Sequence, residues 1–80
     1  MKETDFEYSV GSDVRFEDLI ADIGFGTKLV ALLTQEEGFQ NLRIRIYPPQ
    51  NGEYWDFRFD EFNDIIHHAK NRLSELQKNN

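Results

Sequence analysis

The stretch Leu42–Tyr47, LRIRIY, alternates apolar and basic side chains without a break, a period of two that fits a half-buried β-strand and does not fit a helix. Leu42, Ile44 and Ile46 then point to one face, and Arg43, Arg45 and Tyr47 to the other. Pro48 and Pro49 stop the pairing, Asn51-Gly52 tolerates positive φ, and EYWDFRF resumes the alternation with Trp55, Phe57 and Phe59 on one side. This pattern predicts a hairpin. Ile46 would face Trp55, Ile44 Phe57 and Leu42 Phe59 on the core side, while Arg45 faces Asp56 and Arg43 faces Arg58 on the outer side.

A strand pair with one apolar face needs a cover, and the C-terminal segment supplies one. Phe62, Ile65, Ile66, Ala69, Leu73 and Leu76 fall on a single stripe of an α-helix, with Asp60 as the expected N-cap, Glu61 in the first turn and Lys78 near the end. Upstream, Phe6, Tyr8 and Val10 alternate with Glu7 and Ser9, predicting a short strand that ends at Gly11. Phe16, Leu19, Ile20 and Ile23 recur at i, i+3, i+4 and i+7 between Ser12 or Asp13 and Gly24, predicting a short acidic helix. The apolar run from Lys28 to Gln35 reads as a central strand covered on both faces, although Leu and Ala leave a helix open. The expected fold is one α+β domain over residues 1–80. It is a small two-layer sandwich, an antiparallel meander sheet in the order β-α-β-β-β-α with the C-terminal amphipathic helix packed on one face.

Charge limits what such a domain binds. The net charge is −6, and the first 25 residues hold seven carboxylates against Lys2 and Arg15, a net −5. Glu3, Asp5, Glu7, Asp13, Glu17, Asp18 and Asp22 form this acidic front. An acidic domain repels phosphate backbones, so nucleic acid is not the expected partner. The absence of cysteine excludes disulfides, thiol nucleophiles and thiolate metal sites, and fits a reducing, cytoplasmic setting. The longest apolar run is too short to span a membrane, and the start of the chain lacks the pattern of a signal peptide.

No motif carries chemistry. His67 and His68 diverge by about 100° on a helix, whereas paired helical metal ligands stand four apart, so no metal or other cofactor is expected. Asp56, Asp60, Glu61 and Asp64 are accounted for by ion pairing, capping and dipole matching, and GFG at Gly24–Gly26 lacks the spacing of a phosphate loop. The expectation is no enzyme. Two surfaces are candidates for binding: the outer sheet face with Arg43, Arg45, Tyr47, Tyr54 and Arg58, rich in hot-spot side chains, and the acidic front centred on Glu17, Asp18 and Asp22. The expected function is a small protein-interaction module, an inhibitor, immunity-type or accessory protein acting on a larger basic partner. The alternative is a single-stranded nucleic-acid or nucleotide binder that stacks bases on Tyr47 and Tyr54, and a homodimer through the outer face is a further expectation.

Overall fold

The computed structural model describes residues 5–77. Four strands, β1 (Phe6–Gly11), β2 (Ile20–Phe25), β3 (Lys28–Thr34) and β4 (Arg43–Ile46), form an antiparallel meander in that order. The helix α1 (Phe59–Glu75) follows them. The two-layer α+β architecture matches the expectation, but the order of elements is β-β-β-β-α. Lys2 and Glu3 of the acidic front, and Lys78 at the expected helix end, lie outside the described residues.

The expected first helix is strand β2. Its residues satisfy a period of two as well as the helical one: Ala21, Ile23 and Phe25 turn to the core while Asp22 and Gly24 turn away. The decisive local feature is Gly26, whose φ of 65° suits the first position of the two-residue turn Gly26-Thr27, which sets Phe25 opposite Lys28. A helix ending at Gly24 would leave the apolar β3 without a neighbour on that side.

The last expected strand, EYWDFRF, is likewise absent from the sheet. Residues 54–58 join no ladder, yet Trp55 and Phe57 are half-buried between exposed neighbours. The Trp55 indole N–H donates to the carbonyl of Tyr47 at 2.8 Å, and Trp55 and Phe57 pack against the helix-side core. An extended chain alternates its side chains whether or not it pairs, so the period alone did not distinguish the two. Phe59, expected beside them in the core, opens the helix and is 82% exposed. Arg58, not Asp60, occupies the N-cap position, and no side chain caps it.

Register places Tyr8, Ile23, Ala31 and Ile46 in one row across the sheet and Val10, Ala21, Leu33 and Ile44 in the next. Both rows face α1, which packs chiefly on β1 and β2 through Ile65, Ala69 and Leu73. Ala21, Ala31 and Ala69 are fully buried, small side chains that let helix and sheet approach closely. Ile23↔Ala31 is followed by Gly24↔Leu29, so Val30 is the extra residue of a bulge. It too enters the core, and Leu29 is left 45% exposed.

The opposite face carries the row Ser9, Asp22, Leu32 and Arg45. No helix covers it, yet Leu32 is only 2% exposed and Ile20 is 5% exposed. The β1–β2 loop, residues 12–19, folds over this face. Gln35, buried beside it, donates its amide N–H to the Leu19 carbonyl at 2.9 Å, and the Glu36 carboxylate accepts the backbone N–H groups of Glu17 and Asp18, both at 3.1 Å. The continuous apolar run of β3 thus has a cover on each side, as expected for a central strand.

Candidate functional site

Strand β4 is the last of the sheet and separates two surfaces of different chemistry. On the outer side the loop brings Phe16 beneath Arg45, whose guanidinium lies 5.4 Å from the ring centroid, with that of Arg15 at 5.6 Å. Arg15 is held by Asp13, which accepts its backbone N–H at 2.8 Å, Nε at 3.0 Å and Nη2 at 2.9 Å. Asp13, and to a smaller extent the nearby Tyr47 hydroxyl, push the Arg15 guanidinium further up. Two of the five expected outer-face residues, Arg45 and Tyr47, are therefore gathered around Arg15 and Phe16, which sequence patterns did not single out.

The other three are placed elsewhere. Arg43 follows on β4 and reaches Glu37 at 3.8 Å, a solvent-exposed pair of small energetic weight. Tyr54, 72% exposed, stands on the irregular segment before the helix, and Arg58 at the helix start pairs with Asp60 at 3.2 Å. Arg45 and Asp56 form no ion pair among the described residues. Of the acidic front, Glu17 and Asp18 stand on the loop beside Glu36, whereas Asp22 sits on β2 and accepts the Ser9 hydroxyl at 3.0 Å.

On the helix side, β4 borders an apolar groove of about 310 Å³ between Val30, Ile46, Trp55, Phe57, Phe59 and Phe62. Ile46 is 58% exposed and Ile44 41%, because α1 lies over the other half of the sheet. Phe59 is the residue that sequence reasoning assigned to the core and that the structure places on this rim. A second cleft, of about 350 Å³, opens at the end of the strand between Lys28, Leu29, Tyr47, Pro48 and Trp55, among others. Among the described residues no group of three or more His, Cys, Asp or Glu could hold a metal ion, and no helix is long and apolar enough to cross a membrane.

No family model, curated protein or solved structure matches this chain.

The loop that shapes the outer side has a titration signature. Hydrogen bonds from the Arg15 side chain, then from its backbone, lower the Asp13 carboxyl from 3.8 to about 2. A carboxyl depressed in the folded state helps hold the loop above the ordinary carboxylate range, and that contribution is lost as pH falls through about 2. Following the Asp13 carboxyl carbon by NMR should give a midpoint near 2. In Arg15→Gln the midpoint should return towards 3.8; an unchanged midpoint would mean that Arg15 does not clasp it.

Proposed function

We propose that the protein is a small protein-interaction module without catalytic chemistry, an accessory or inhibitory protein of a larger partner, and that β4 with its apolar groove is the working surface. The observation that carries this reading is the exposure of Phe59 and Ile46 around that groove, large apolar side chains left uncovered beside an open sheet edge. Contiguous apolar surface rimmed by polar groups is the usual mark of a protein interface. A chain without cysteine suits a cytoplasmic setting.

The acidic front supports a second reading, in which the partner is basic. Glu36, on the β3–β4 connection, ties down the backbone of Glu17 and Asp18 on the β1–β2 loop, so these three carboxylate residues are neighbours while Asp22 stands on β2. Such a rim acts on association rate and fades with salt. Single-strand binding is the weaker reading, since Tyr54 and Arg58 belong to the segment before the helix and to the helix start and not to the strand that carries Arg43 and Arg45.

Capture from the native host, followed by mass spectrometry, separates these readings. With the β4 surface at work, Ile46→Asp should abolish recovery of the wild-type partner, and changing Glu17, Asp18 and Asp22 together to their amides should slow association without abolishing it. Loss of the partner in the amide variant, with Ile46→Asp unaffected, would transfer the function to the acidic front. Recovery of nucleic acid that depends on Arg43 and Arg45 would overturn both.

A further inference from the structure

We infer that the free edge of β4 adds a strand from its partner, and that the segment it accepts alternates carboxylate and apolar side chains. This rests on the reading of β4 as the working surface and names what that surface would hold.

The edge is open in the sense that matters for strand addition. Tyr47 donates its backbone N–H inward to the Val30 carbonyl at 2.8 Å. Alternation along an antiparallel strand then turns the backbone groups of Arg45 and Arg43 inward and those of Ile46 and Ile44 outward. Outside the sheet, no hydrogen bond among the described residues reaches either isoleucine. Residues 54–58 would have closed this edge as the expected hairpin strand; instead they pass under the sheet, held by Trp55 on the Tyr47 carbonyl. Natural edges of this kind are usually blunted. Here the shortness of β4, its two arginines and the prolines Pro48 and Pro49 limit it, and no described segment covers it.

The chemistry of the guest follows from parity. A strand laid along β4 places alternate side chains beside Ile44 and Ile46, over the groove of Trp55, Phe59 and Phe62, where apolar groups fit. The intervening side chains fall beside Arg43 and Arg45, where carboxylates fit. Both guanidinium groups are within reach: Arg43 is 71% exposed despite its contact with Glu37, and Arg45 is exposed above Phe16. β4 itself contains two arginines and no acid, while Glu7 and Asp22 stand on β1 and β2, so both arginines of the sheet are gathered at this edge.

A second copy is the poorer guest. Two-fold pairing of β4 with itself opposes Arg45 to Arg45 when centred on residue 45, and Arg43 to Arg45 when centred on residue 44. Centred on residue 46, it sets Pro48, which has no N–H, against Ile44.

The test uses two capped six-residue peptides, EVEVEV and KVKVKV, titrated into the labelled protein by NMR. EVEVEV should bind saturably, with amide shifts concentrated on residues 43–47, and KVKVKV should bind at least about tenfold more weakly. Methylating alternate backbone nitrogens of EVEVEV should abolish binding in one of the two frames, as a hydrogen-bonded ladder requires. Arg43→Glu with Arg45→Glu should reverse the preference, and the milder pair of glutamines should erase it if the glutamates perturb folding. Equal affinity for both peptides, shifts centred on β1, or a concentration-dependent dimer in sedimentation would overturn the inference. If Ile46→Asp abolishes capture of the host partner but EVEVEV does not bind, the β4 surface stands and the acidic strand falls; if Ile46→Asp leaves capture intact, both fall.

Discussion

Ile23→Ala should remove about 2–5 kcal/mol of unfolding free energy, the range for truncating a buried isoleucine where the surroundings cannot close the void. Ile23 has no exposed surface and lies in the row that faces α1, between Tyr8 and Ala31. A domain of this size has about 5–15 kcal/mol in total, and each kcal/mol moves the midpoint by about 4–8 °C. The variant should therefore melt at least about 8 °C below the parent, with the denaturant midpoint falling in step. Ile46→Ala, on the same face but 58% exposed, is the control and should cost about 1 kcal/mol or less. A cheap Ile23 and a costly Ile46 would place the helix over the wrong half of the sheet.

Phe57→Ala should be comparably severe, about 3–5 kcal/mol, although Phe57 belongs to no regular element. Its ring is the hub of an aromatic cluster: Phe6 lies 4.7 Å away edge-on, Phe25 at 5.0 Å, Trp55 stacked at 5.1 Å and Phe62 stacked at 5.6 Å. Such pairs add about 0.5–1.5 kcal/mol each beyond the area they bury. Deleting one ring from the centre therefore loosens four others, and a double-mutant cycle between Phe57→Ala and Phe6→Ala should show positive coupling. Tyr54→Ala, three residues earlier and 72% exposed, should be close to neutral. Equal costs for Tyr54 and Phe57 would show that the segment does not pack as a wedge between sheet and helix.

The elements legible in the sequence are those in which period and burial agree. β3, β4 and α1 were expected over nearly the observed spans, since LRIRIY admits one reading and the Ile65, Ala69 and Leu73 stripe another. β2 was not, because Phe16, Leu19, Ile20 and Ile23 fit a helical spacing and only the Gly26-Thr27 turn, a tertiary commitment to β3, decides against it. Residues 54–58 show the converse case. Their alternation is real, but a single indole bond to Tyr47 diverts them from the edge to the face. For the candidate site, the arginines and Tyr47 of β4 were visible as a pattern. Phe16 and Phe59 were not visible as site residues: one was absorbed into the helical spacing with Leu19, Ile20 and Ile23, the other into the hairpin pattern, and the signal that could have exposed Phe59 is its place directly before the helix-starting Asp60-Glu61 pair.

The meander order has a consequence for how the chain reaches its native state. Each ladder joins neighbours in sequence, so the hairpins can zip as soon as they leave the ribosome, with little loop closure to overcome. The exception is α1, whose main docking surface is β1 and β2, at the far end of the described chain. Until that helix has been synthesised, Ala21 and Ile23 lack their cover, and a nascent sheet presents its core row to solvent or to other chains. Helix docking should thus follow strand pairing, and a destabilised α1 should produce aggregation during synthesis in preference to a partly folded product.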